Sequence, residues 1–224
     1  MLEFFEIAVL VIALVFFSAI SIRKRLLDIA ALVIANAVGI VIFYLGGLQY
    51  FVLIVLFFVV AELSTKFKEK NKPFPHGKRT VGNIFGNSGV AVIALLLSSP
   101  IAFFGAVSAA LADTLSSEIG MLSKRKPVLI TNFKEVEHGT DGGITPIGML
   151  SSVFGATIIA LIHFALKANL YIFFVLILAG VFGSVVDSFF GAVFERKKLL
   201  GNTEVNFLGS SAGALLAFWL SMLL

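Results

Sequence analysis

The chain has 224 residues, of which 59% are hydrophobic and only 13% charged. A soluble domain carries about 25% charged residues, so the main solvent is the bilayer. With no cysteine in the chain, disulfides, thiolate metal sites and cysteine nucleophiles are excluded.

The first apolar run, 3–21, opens Glu3-Phe4-Phe5-Glu6 without a basic flank, and Arg23-Lys24-Arg25 follows it. A cleavable signal peptide has the reverse order and a shorter apolar core. The run therefore predicts a retained spanning helix with its N-terminus outside. Further apolar segments fall at 26–45, 48–65, 81–98, 101–122, 147–166, 170–194 and 205–223. The expected fold is an all-α integral membrane protein of about eight transmembrane helices in a single domain, 1–224. The segments 48–65 and 81–98 are short for a span of about 20 residues, and the fifth and seventh carry acids, so seven spans is the alternative.

Charge favours eight. The first loop holds Arg23, Lys24 and Arg25, and the third holds Lys66, Lys68, Lys70, Lys72, Lys78 and Arg79. The fifth holds Lys124, Arg125, Lys126 and Lys134, and the seventh holds Arg196, Lys197 and Lys198. Every basic residue except Lys167 thus falls in an odd-numbered loop. The positive-inside rule places those loops in the cytoplasm and both termini outside. This distribution accounts for the net charge of +4 without a nucleic-acid partner.

Acids inside a bilayer are costly and mark function. Here they are Glu62, Asp113, Glu118 and Asp187, each in the inner half of a helix running inward. In the fifth helix a 3.6-residue period puts Asp113, Ser116 or Ser117, and Gly120 on one face. Glu118 lies about 140° from Asp113, either reaching the cluster or facing cytoplasm. In the seventh, Gly183, Asp187 and Gly191 form a stripe flanked by Ser184 and Ser188. The small residues allow a backbone or a ligand to approach the carboxylate. The fourth helix carries Arg79, Asn83 and Asn87 on one face and begins beside Lys78, where its dipole suits a phosphate. Asn206 opens the eighth. The loop Gly139-Thr140-Asp141-Gly142-Gly143 leads into the sixth helix, and its amides suit an anion-binding nest. His76, His138 and His163 are scattered and make no zinc site.

Magnesium takes one or two protein carboxylates and fills its shell with water and phosphate oxygens. Phosphoryl transfer needs positioning and charge neutralisation more than a protein nucleophile. The expected Mg2+ ligands are Asp113 and Asp187, with Glu118. Lys78, Arg79 and the amides of Gly139–Gly143 neutralise phosphates, and Asn83, Asn87, Ser117, Ser184, Ser188 and Asn206 complete the polar lining.

Five blocks carry a resemblance: Arg79…Gly82-Asn83…Gly86-Asn87-Ser88-Gly89, Ala112-Asp113-Thr114-Leu115-Ser116-Ser117-Glu118-Ile119-Gly120, His138-Gly139-Thr140-Asp141-Gly142-Gly143-Ile144-Thr145…Gly148, Gly183-Ser184-Val185-Val186-Asp187-Ser188…Gly191-Ala192 and Glu204-Val205-Asn206. In that order they resemble the family of transmembrane protein 19 and the plant phytyl-phosphate kinase. The resemblance implies transfer of a phosphoryl group from a nucleoside triphosphate, CTP favoured, to an isoprenyl monophosphate such as phytyl or geranylgeranyl phosphate. Two departures, Asp141 where Asn is expected and Asn87-Ser88-Gly89 in place of Asn-Gly, bear on substrate preference. The competing reading is an ion-coupled or lipid transporter using the intramembrane carboxylates. The DGxxAR run of the CDP-alcohol phosphotransferases is absent.

Overall fold

The computed structural model describes residues 4–71 and 79–223. Eight α-helices run through them: α1 (Phe4–Lys24), α2 (Ile29–Gly46), α3 (Leu48–Asn71), α4 (Val81–Leu96), α5 (Pro100–Gly120), α6 (Pro146–Lys167), α7 (Leu170–Val193) and α8 (Asn202–Ser221). Each of the eight apolar segments is one helix. Starts coincide with local signals: Asp28 Oδ1 accepts from the Ala31 amide at 2.7 Å, Thr145 Oγ1 accepts from Gly148 N at 3.1 Å, and Pro100 and Pro146 occupy first-turn positions where the missing amide costs nothing.

Two boundaries depart from the apolar pattern. α3 runs on to Asn71 because its charged tail, Lys66 to Lys70, is made of good helix formers. α8 starts at Asn202 because Glu204 Oε2 reaches back to the Gly201 amide at 2.9 Å. Six helices among the described residues (α1, α2, α3, α5, α6 and α7) are long and apolar enough to cross a membrane. α4 has 16 residues, and α8 opens on polar ones.

α5 is the central helix, packed against α3, α4, α6, α7 and α8. Phe103, Leu111, Ile159 and Leu176 are fully buried around it. α1 is peripheral, with Phe4, Ile12, Val15 and Phe16 more than 60% exposed, as expected of a lipid-facing helix. α5, α7 and α8 approach through small residues. A Cβ on Gly183 would sit 2.7 Å from the Gly209 carbonyl oxygen. Gly183→Val is therefore expected to destabilise the bundle by about 1–3 kcal/mol through overpacking, read as a fall in thermal midpoint in detergent.

The fifth loop carries regular structure of its own. Two short antiparallel strands, β1 (Val128–Leu129) and β2 (Gly143–Ile144), pair within it. The Val136 amide also donates to Pro127 O at 2.9 Å. The alternation needed to foresee a strand spans only two residues here, too short to register as a pattern.

Candidate functional site

The C-terminal ends of α5 and α7, the starts of α6 and α8 and the fifth loop enclose a polar cavity of about 320 Å3 at the end of the bundle that carries the basic loops. Asp113, Ser116, Ser117 and Gly120 all face it from α5. From α7 come Asp187, Ser188 and Gly191, and from α8 Asn202 and Asn206. Gly139, Thr140, Asp141, Gly142 and Gly143 form the opposite wall. The loop is docked rather than free. Gly142 has φ +75°, and a Cβ there would collide with the backbone of Ala192 on α7. Thr140 Oγ1 donates to Glu137 O at 2.7 Å, and the Gly143 amide donates to Thr140 O at 2.9 Å.

Asp113 and Asp187 meet at the back of this cavity. Both line a small void shared with Asn87, Asn206 and Gly209. Ser184, buried on α7, donates to Asp113 Oδ1 at 3.3 Å. Asp187 Oδ2 is buried without a hydrogen-bond partner. Neither carboxylate forms an ion pair among the described residues. Two such groups out of water are costly unless a cation joins them. Glu195, beyond the end of α7, and Asp141 add further acid to the wall. Against them the lining offers one lysine, Lys68. Partial burial pushes the Asp141 carboxyl up from its ordinary range, and Arg196 nearby pulls it down. No cluster of three or more acid or histidine side chains among the described residues forms a ready-made metal cage.

Glu118 touches the same cavity from its edge but is engaged. Its Oε1 accepts from Thr65 Oγ1 at 2.9 Å, and its Oε2 pairs with Lys68 Nζ at 2.6 Å. Lys68 is 7% exposed. Lys68→Met is expected to destabilise the fold by about 3–5 kcal/mol, since Glu118, whose side chain is only 12% exposed, would stay charged without its ion-pair partner. Adding Glu118→Gln should recover most of the loss in thermal unfolding.

The structure does not bring Arg79 and Asn83 into the polar cavity. They line a separate, largely apolar groove between α1, α2, α3 and α4, together with Asn87. Asn83 Oδ1 is occupied in capping α4, accepting from Thr80 N at 2.8 Å and Thr80 Oγ1 at 3.1 Å. Arg79 contacts Glu62 at 3.9 Å, donates to Thr65 Oγ1 at 3.4 Å and lies 5.8 Å from the Phe58 ring centroid. Burial lowers its guanidinium pKa, while Glu62 and Glu118 raise it. Of the helix-four cluster, only Asn87 reaches both the groove and the carboxylates. Lys78 lies outside the described residues.

Sequence reasoning did not single out Glu195, Lys68 or Asn202. Glu195 was within reach, since it continues the four-residue series Gly183, Asp187, Gly191. Lys68 was masked by five neighbouring cations whose common role is topology.

The family model described as "Integral membrane protein DUF92" matches residues 12–214. The chain belongs to this family. A membrane protein of Methanocaldococcus jannaschii is 33% identical over 203 residues, covering 87% of this chain and 85% of that one. Protein PGR of Arabidopsis thaliana is 29% identical over 241 residues, with 87% and 82% covered. The chloroplastic protein VTE6 of the same plant is 29% identical over 196 residues, with 76% of this chain and 58% of that protein covered. No solved structure matches the chain. The family resemblance carried by the five blocks holds, and four of those blocks contribute to the one polar cavity.

Proposed function

We propose that the protein is a membrane kinase that transfers the terminal phosphoryl group of a nucleoside triphosphate, CTP favoured, to an isoprenyl monophosphate. An oxygen of the acceptor phosphate attacks the γ-phosphorus. The bond from that phosphorus to the bridging oxygen of the donor breaks, leaving an isoprenyl diphosphate and a nucleoside diphosphate. The acceptor oxygen is already anionic, so no strong general base is required, in keeping with a cavity built without a base–nucleophile pair. The positive charge of the odd-numbered loops supports a cavity mouth on the cytoplasmic side, where nucleotides are available.

The observation that carries this reading is the pair Asp113 and Asp187, half-buried and matched by no cation among the described residues, at the back of a polar cavity. A polyanion does not enter an acid-lined cavity alone. Two carboxylates without a third ligand suit magnesium, which takes one or two from the protein and the rest from phosphate and water. Asp113 and Asp187 would hold it, and it would neutralise phosphate charge as the transfer proceeds. Glu118, engaged by Lys68 and Thr65, is left out of that set. Ser184 orients Asp113, Asn206 and Asn87 flank the pair, and the Gly139–Gly143 loop covers the donor side. Ser117 and Ser188 offer hydroxyls to the phosphates.

The test is to incubate the purified protein with magnesium, an isoprenyl monophosphate and each nucleoside triphosphate in turn, detecting isoprenyl diphosphate by mass spectrometry. Product is expected, most with CTP. No product with any donor across several chain lengths would overturn the kinase and turn attention to carriage of ions or lipids.

A further inference from the structure

We infer that the groove between α1, α2, α3 and α4 is the binding site for the isoprenyl chain of the acceptor, with Arg79 at its head to hold the acceptor phosphate. This rests on the reaction proposed above and places the acceptor chain in a space that meets the polar cavity at Asn87.

The groove is a narrow slot with about 80 Å3 of free volume, so the case for its occupant rests on its lining. Its chemistry is asymmetric along its length. The head carries Arg79, Asn83, Asn87 and Ser88, and the remainder is apolar, ending at Gly39 and Phe51. An occupant that matches is one long apolar chain with one anionic end. Arg79 is suited to meet that end. Its side chain is 12% exposed, and among the described residues its Nε has no hydrogen-bond partner. Its backbone is fixed, because its amide donates to Leu26 O at 3.1 Å and its carbonyl accepts from Asp28 N at 3.2 Å.

Position supports the pairing with the polar cavity. Asn87 lines both the groove and the void that holds Asp113 and Asp187, so an anionic head beside Asn87 borders the carboxylates. The partition between the two spaces is the network Arg79, Thr65, Glu118 and Lys68, at 3.4, 2.9 and 2.6 Å in turn. The outer wall is α1, through Ala13, Leu14 and Phe17. As the peripheral helix it gives a chain access from the bilayer rather than from water. The apolar hollow between α4, α5 and α8, lined by Ile93, Leu97 and Phe218, has no cation at its head and lacks this match.

A photoreactive C20 isoprenyl monophosphate, carrying its reactive group on the chain, would be added to the full-length protein in lipid nanodiscs without nucleotide. Saturable labelling of residues 13–17, 35–39 or 54–58, displaced by unlabelled isoprenyl monophosphate and not by phosphatidylglycerol, is expected. Labelling confined to the α4–α5–α8 hollow, or displacement by phosphatidylglycerol as effectively as by the prenyl phosphate, overturns the inference. Labelling needs no turnover, so a labelled groove in a protein without kinase activity leaves the chain site standing and removes the proposed reaction. Kinase activity with the label elsewhere does the reverse. In the turnover assay, Ala35→Trp should lower kcat/KM for a C20 acceptor relative to a C5 acceptor at least tenfold. Arg79→Lys, which keeps the charge and loses the guanidinium fork, should raise the acceptor KM about tenfold with the nucleotide KM unchanged. An unaltered chain-length ratio, or a rise in the nucleotide KM alone, would sink it.

Discussion

Asp113→Asn and Asp187→Asn should each lower turnover at least a thousandfold, about 4 kcal/mol of barrier, while the bundle stays folded. The effect is large because the proposed magnesium site would draw its protein ligands from these two carboxylates, and an amide oxygen carries no charge to replace either. Folding should survive because neither acid belongs to an ion pair that would be broken. Removing a charge from a buried, unpartnered Asp187 oxygen even relieves a desolvation cost. The apo protein should therefore unfold at an equal or higher temperature in each variant. Added magnesium and CTP should raise the midpoint of the wild type, as any ligand selective for the folded state does, and leave both variants unmoved. Wild-type activity in either variant would remove that residue from the metal set. A midpoint several degrees lower without ligand would show that the carboxylate holds the fold together instead.

Gly142→Ala should cost at least a hundredfold in turnover, about 2.7 kcal/mol, although no side chain of catalytic chemistry is altered. Gly142 has φ +75°, where an L-residue pays about 1–2 kcal/mol, and the added methyl would overlap Ala192. The loop must then lift from α7, opening the wall formed by Gly139 to Gly143. The helices themselves are not touched, so the thermal midpoint should fall only slightly. The loss should appear chiefly in the nucleotide KM and in the stabilisation given by magnesium and CTP. An unchanged nucleotide KM would mean that the loop closes the bundle without contacting the donor. Ala192→Gly in the same chain makes room for the methyl and should restore part of the activity, since only the collision and not the backbone strain is removed.

The individual helices were legible in the sequence to a degree that the site was not. Eight apolar segments and eight helices correspond because span length is set by the bilayer and each helix closes its own backbone hydrogen bonds. Helix faces were legible too. The stripe Gly183, Asp187, Gly191 follows from a 3.6-residue period alone, and all three residues face α5, α8 or the docked loop. What a period does not give is the partner of a face. Asn83 and Asn87 share one side of α4, with Arg79 just before its start, and only the packing of α1, α2 and α3 around it shows that this side opens on an apolar groove.

The sequence by itself determined the solvent, the helices and the order of the blocks, because hydropathy, capping and charge bias are properties of neighbouring residues. The tertiary structure alone decided that the polar residues divide between two spaces. It seated Glu118 on Lys68, 50 residues away, turned a glycine loop into a docked hairpin and joined Glu195 to Asp113 across α5 and α7. The physical reason is that burial and pairing depend on which helices meet, and electrostatics in a medium of low polarity is fixed by those meetings rather than by the residues taken one at a time.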